Sequence, residues 1–81
     1  MKTINAKLNY KIKPTHPDFQ YITNWTPDKV YTECDTYRID PDEFYGEDDI
    51  IDYIKEDLML VAGGGYNWDN IYDVKFEMEV I

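Results

Sequence analysis

The sequence predicts an α+β fold: a three- to four-stranded antiparallel sheet with one main helix packed on one face, in the order β-(β)-β-α-β. Three observations carry this prediction. Residues 3–13 and 71–81 alternate apolar and polar side chains with a period of two, which turns one face of a strand toward a core. Residues 47–62 place apolar side chains at helical spacing. Gly63-Gly64-Gly65 follows directly, where glycine tolerates the left-handed conformation that ends helices. A length of 81 residues suits a single domain over residues 1–81.

In the first strand, Ile4, Ala6, Leu8, Tyr10 and Ile12 point one way, and Thr3, Asn5, Lys7, Asn9, Lys11 and Lys13 the other. Pro14 ends it. Pro14, Pro17 and Pro27, with Asn24 and Asp28, mark a loop over 14–28. Phe19, Tyr21, Ile22 and Trp25 are too apolar for a fully solvated loop, so they are expected to pin it to the core. A short strand at 19–23 would supply the fourth strand. Residues 29–39 read as a long strand, because Val30, Thr32, Cys34 and Thr36 alternate with Tyr31, Glu33, Asp35 and Tyr37, a β-branched and aromatic run. Neither of its faces is wholly apolar, which suits an edge.

Asp40-Pro41-Asp42-Glu43 is a helix-start signature, with Asp40 as cap, Pro41 at the first helical position and Glu43 in the capping-box place. Gly46 is expected to close that single turn. The longer helix then presents Ile51, Ile54, Leu58 and Val61 as its apolar stripe, widened by Ile50 and Leu60. In the last strand Tyr72, Val74, Phe76, Met78 and Val80 share one face, and Asp73, Lys75, Glu77 and Glu79 the other. The lysines of the first strand and the acids of the last would face each other across an antiparallel pair, so these two strands are expected to be neighbours.

The net charge is −9, unevenly spread. Residues 1–29 carry five lysines against two aspartates, and residues 30–81 three basic residues against fifteen acidic ones. Phosphate is repelled by most of such a surface, so no direct nucleic-acid partner and no membrane partner is expected. Basic partners are favoured. Aromatic residues make up 16% of the chain, well above what disordered acidic segments carry, so it should fold. Residues 1–13 hold no continuous apolar stretch of the kind a secretory signal needs, and no run approaches the ~18 apolar residues of a membrane span. One cysteine, Cys34, leaves no internal disulfide to form. The chain reads as cytoplasmic, monomeric or homodimeric.

Catalysis finds little to build on. The chain has no serine, one histidine (His16) and one cysteine (Cys34). A Cys–His pair needs both in one cleft, and these lie in a proline-rich loop and an alternating strand. Counted from Asp40, a calcium-loop pattern needs glycine sixth and glutamate twelfth, but Tyr45 and Ile51 stand there. The triple glycine follows a helix instead of preceding one, so it lacks the positive dipole end of a phosphate cradle. No enzyme activity, cofactor or metal is expected.

What stands out is acid. Nine of the eighteen residues from Asp40 to Asp57 are carboxylates, with Lys55 alone in opposition. Acids in a helix's first turn favour its dipole, which accounts for Asp42, Glu43, Asp48 and Asp49. Asp52, Glu56 and Asp57 have no such role. Asp48, Asp52 and Glu56 fall at i, i+4 and i+8, a row of like charge that opposes folding by a few tenths of a kcal/mol per pair. Carboxylates about 5–6 Å apart along a helix approach the spacing of phosphates on a nucleic-acid strand. The expected contacts are Asp48, Asp49, Asp52 and Glu56, then Asp42, Glu43 and Glu47, with Tyr45, Tyr53, Tyr66 and Trp68 as aromatic anchors.

A small, acidic, tyrosine-rich domain with strands and one acidic helix is similar to phage-encoded inhibitors of host defence, anti-CRISPR proteins and other DNA mimics among them. The resemblance covers size, charge and the Asp40–Asp57 block. It implies a stoichiometric inhibitor, acting in the host cytoplasm, that occupies the nucleic-acid-binding surface of a CRISPR effector or nuclease. The alternative is a small acidic structural or accessory protein whose charge confers solubility and which mimics nothing.

Overall fold

The computed structural model describes residues 1–65 and 67–81. Three antiparallel strands, β1 (Lys2–Ile12), β2 (Tyr31–Ile39) and β3 (Ile71–Val80), form one sheet in the order β2-β1-β3. One helix, α1 (Glu47–Ala62), lies between β2 and β3 in sequence. The fold is thus α+β with three strands. The segment 19–23 makes no strand, because Phe19–Tyr21 turns in a 3-10 helix, with Tyr21 N–H donating to Asp18 O at 2.9 Å and Ile22 N–H to Phe19 O at 3.1 Å.

The alternation of β1 does what the sequence indicates. Ile4, Ala6, Leu8, Tyr10 and Ile12 are all buried. They form one cluster with Ile39, Ile71 and the helix residues Ile50, Ile54, Leu58 and Ala62. As central strand, β1 is bonded on both sides and supplies the largest share of this core. Its neighbours follow the expected charge pairing: Lys11 Nζ lies 2.7 Å from Asp73, and Lys7 Nζ 4.0 Å from Glu77. On the far side, the Thr32 and Thr36 hydroxyls donate to the Asn9 and Asn5 side-chain oxygens, each at 2.7 Å.

Two apolar faces are set differently from the sequence reading. In β3 the register against β1 shifts between Asn9 and Lys11, and Asp73 adopts φ +52°. This bulge inserts a residue, so Tyr72 pairs with Lys11 on the polar side, Ile71 pairs with Ile12, and Ile71 is buried in place of Tyr72. Aspartate tolerates the left-handed conformation better than most residues. The Tyr72 hydroxyl instead donates to Pro27 O in the loop. In α1 the buried row is Ile50, Ile54, Leu58 and Ala62, every fourth residue, while Ile51 and Leu60 are half-buried and Val61 is 49% exposed.

The C-terminus of the helix is tied down. Four terminal carbonyls of any helix lack intrahelical partners, and burying them unpaired is costly. Here Gly63 N–H donates to Met59 O at 2.9 Å and Gly64 N–H to Val61 O at 3.2 Å. Two more carbonyls at this end are met from afar. His16 Nε2 lies 2.7 Å from Ala62 O, and Asn70 Nδ2 donates to Gly63 O at 2.8 Å. Since Asp18 N–H donates to His16 Nδ1 at 3.0 Å, that nitrogen is the acceptor, and Nε2 carries the proton given to Ala62. His16 and Asn70 are both 6% exposed, buried polar groups with their partners in place. The loop after β1 is held further by Trp25, whose Nε1 donates to Ile12 O at 2.8 Å and whose ring meets Phe19 edge-on at 5.1 Å.

Gly63 is fixed by space. A Cβ there would lie 2.0 Å from Asn67 O, a backbone atom. Gly46, which caps the start of α1 and does not close the preceding turn, has an extended φ of 168° and nothing within 4 Å. Gly63→Ala should therefore lose about 2–3 kcal/mol in urea unfolding. Gly46→Ala should change stability by about 1 kcal/mol at most.

Candidate acidic interface

The acidic block begins at a built turn. Asp40 accepts from Asp42 N–H at 3.0 Å and caps a 3-10 turn over Pro41–Glu43, so the predicted cap forms, on a shorter helix type. The chain leaves that turn through Phe44 and reaches α1 at Glu47. The Asp49 carboxylate reaches back to the Tyr45 N–H at 3.3 Å, which fastens the start of the helix. Glu47, Asp48 and Asp49 all lie in the first turn, where exposed N–H groups favour negative charge.

Of the candidate contact residues, Asp42, Glu43, Tyr45, Glu47, Asp48, Asp49, Asp52, Tyr53, Glu56 and Trp68 are all exposed. Tyr66 lies outside the described residues. Tyr45 projects fully, whereas Tyr53 leans on Phe44 with ring centroids 5.5 Å apart. Trp68 lies across from the acidic row. It lines a shallow groove with Asp52, Lys55, Glu56, Met59 and Val74, between α1 and the β3 side of the sheet. The structure thus brings Trp68 together with Asp52 and Glu56, and leaves Asp42, Glu43 and Tyr45 at the other end of the helix.

Asp57 differs from the rest of the block. It is half-buried and accepts a 2.5 Å hydrogen bond from the Tyr37 hydroxyl of β2. This ties helix to sheet and gives one of the acids without a capping role a structural one. Sequence spacing could not show this, because the partner lies twenty residues away on another element. Burial, and then the bond and charge of Asp57, push the Tyr37 phenol well above its ordinary range. Burial, then the negative charge of Glu33, raises Tyr10.

Among the described residues the ion pairs are Lys7–Glu77 and Lys11–Asp73, both on the sheet. The Lys11 bond and charge hold the Asp73 carboxyl below its ordinary value. No carboxylate from Asp40 to Glu56 is matched by such a pair. No three His, Cys, Asp or Glu side chains among the described residues converge as metal donors. No helix among them is long and apolar enough to cross a membrane. Compared with protein-family models, curated proteins and solved structures, the chain matches none.

The open face of the sheet is a surface the sequence reading passed over. Asn5, Lys7, Cys34, Thr36, Glu77 and Glu79 line a shallow depression there. The period-two polar residues of three strands were visible, but only the strand order shows that they meet.

The Tyr37–Asp57 bond has a pH signature. A phenol with a raised folded-state pKa holds its proton more tightly than in the unfolded chain. Its contribution is therefore complete below the unfolded value near 10 and is lost as pH rises beyond it. Wild-type stability should fall on raising the pH from about 9 to 11, and Tyr37→Phe should flatten that slope. Chemical denaturation at stepped pH, with tyrosinate absorbance followed in parallel, measures both.

Proposed function

We propose that this protein is a binding protein that inhibits a basic, nucleic-acid-binding partner by presenting carboxylates where that partner expects phosphates. A CRISPR effector or nuclease is the partner class that the likeness to phage inhibitors suggests. The reading is carried by one observation: Asp48, Asp52 and Glu56 form an exposed row along α1 that takes part in no ion pair among the described residues. Glu47 and Asp49 in the first turn of the helix, and Asp42 and Glu43 in the turn before it, add to this charge. Folding gains nothing from the repulsion among these groups, so a cationic surface that relieves it has a head start in binding.

Of the two residues that could argue for an enzyme, His16 is engaged in the fold and Cys34 lies apart from that histidine. Both ring nitrogens of His16 hold backbone groups, and Cys34 is exposed on a strand of the open face. In the accessory-protein alternative the same acids act as solubilising charge. It draws support from Asp40, Asp49 and Asp57, which have local structural partners.

The two readings part under salt and charge reversal. For mimicry, inhibition of a CRISPR nuclease should weaken steeply between 50 and 500 mM salt, as about 10 Å screening at 0.1 M requires. The combined Asp48→Lys, Asp49→Lys and Asp52→Lys variant should lose roughly 100-fold in affinity, at ~1 kcal/mol per contact. The matching Asn variant, which adds no cations to the helix start, should lose less. A triple-lysine variant that keeps its helical circular dichroism and inhibits like wild type would sink the proposal.

A further inference from the structure

The two edges of the sheet are protected to different degrees. On β2, the side facing the helix carries Glu33 opposite Leu8 and Asp35 opposite Ala6. A strand added there would have to settle beside inward-pointing carboxylates, a common guard against edge pairing. On β3 the same side carries Val74, Phe76 and Met78, all only partly buried, followed by Val80 at 52% exposure. No charge interrupts that run on its helix side. The bulge at Asp73 and Val74 ends the regular edge at one end, leaving residues 75–80 as an evenly paired stretch with no strand on its outer side among the described residues.

The surroundings of this edge say what would fit it. Its helix side opens on the groove lined by Met59, Trp68 and Val74, with Asp52, Glu56 and one cation, Lys55, on the wall. Its other face presents Glu77 and Glu79 beside a single cation, Lys75. The side of β3 already occupied shows the complement in use: β1 sets Leu8 and Ala6 against Phe76 and Met78, and Lys7 against Glu77. A second copy of the chain fits less well, because β3 against β3 doubles Glu77 and Glu79 and joins two molecules of net charge −9.

We infer that the free edge of β3 receives an extended segment of the partner in which apolar and basic residues alternate. Main-chain groups of residues 75–80 pair with it. Its apolar side chains cover Val74, Phe76 and Met78 next to Trp68, and its lysines or arginines face Glu77 and Glu79. This is strand addition, in which backbone bonds supply affinity and alternate side chains supply selectivity. The inference rests on the basic-partner reading above and adds a place and a conformation to it.

Three synthetic ten-residue peptides test it. One alternates lysine and valine, one has the same composition in two blocks, and one is the alternating peptide N-methylated throughout, which keeps its charge but has no N–H donors. The alternating peptide should bind at least tenfold tighter than either control, and amide exchange should slow at the β3 N–H groups not bonded to β1. Equal binding by all three, with amide shifts confined to Asp48–Glu56, would overturn strand addition and leave the acidic-surface reading standing. Binding by none of them at low salt would overturn both. Protection of the β3 edge by concentration-dependent dimerisation without peptide would assign that edge to a second copy, and protection of β2 amides would assign the pairing to the wrong edge; either result overturns the inference.

Discussion

The carbonyls at the end of α1 must be satisfied, and much of the structure is arranged to do it. A helix that ends in solvent can leave those groups to water. This one ends against the core, with Ala62 buried and Gly63 too close to Asn67 for any side chain. Two long-range partners serve its last turn: His16 from the loop after β1 and Asn70 from the turn before β3. They join three segments distant in sequence at one point. The helix held there buries Ile50 and Ala62, and leaves Ile51 half-buried and Val61 exposed.

With the C-terminal end anchored, the N-terminal end of the helix carries the charge. The block from Asp40 to Asp57 then separates into two groups by what each acid touches. Asp40, Asp49 and Asp57 hold backbone or phenol groups and stabilise local structure. Asp42, Glu43, Glu47, Asp48, Asp52 and Glu56 are exposed and take part in none of the ion pairs among the described residues. The second group is what a binding reading has to explain. It is narrower than the total charge and lies along one turn and one helix.

Much of the fold was legible because its signals are local. Strict alternation defined β1, and charge alternation matched it to β3, since lysine rows and acid rows face each other only in that pairing. The cap at Asp40 and the stop at Gly63 were legible for the same reason. The misses come from places where tertiary partners override local pattern. The apolar run at 19–23 looked like a strand, but proline spacing and the edge contact between Phe19 and Trp25 favour a tight turn pinned to the core. Period two in β3 broke at Asp73, since a bulge leaves no composition signal beyond a residue that tolerates positive φ. Of the site, the acidic row was visible as helical spacing. The Tyr37–Asp57 tie, the role of His16 and the contrast between the two sheet edges depend on which elements become neighbours.

The placement of β1 in the middle of the sheet has an electrical consequence. Lys7, Lys11, Arg38 and Lys75 belong to the face turned away from the helix, where Asp73, Glu77 and Glu79 nearly cancel them, while the helix and the turn before it bear most of the carboxylates outside those pairs. The negative charge is therefore concentrated toward the helix side, which gives the molecule a dipole as well as a net charge. In the field of a cationic surface it experiences torque before contact, and arrives helix first. Such pre-alignment acts on the rate of encounter more than on the lifetime of a complex, so an interchange of charge between the two faces at constant net charge would slow association while leaving solubility untouched.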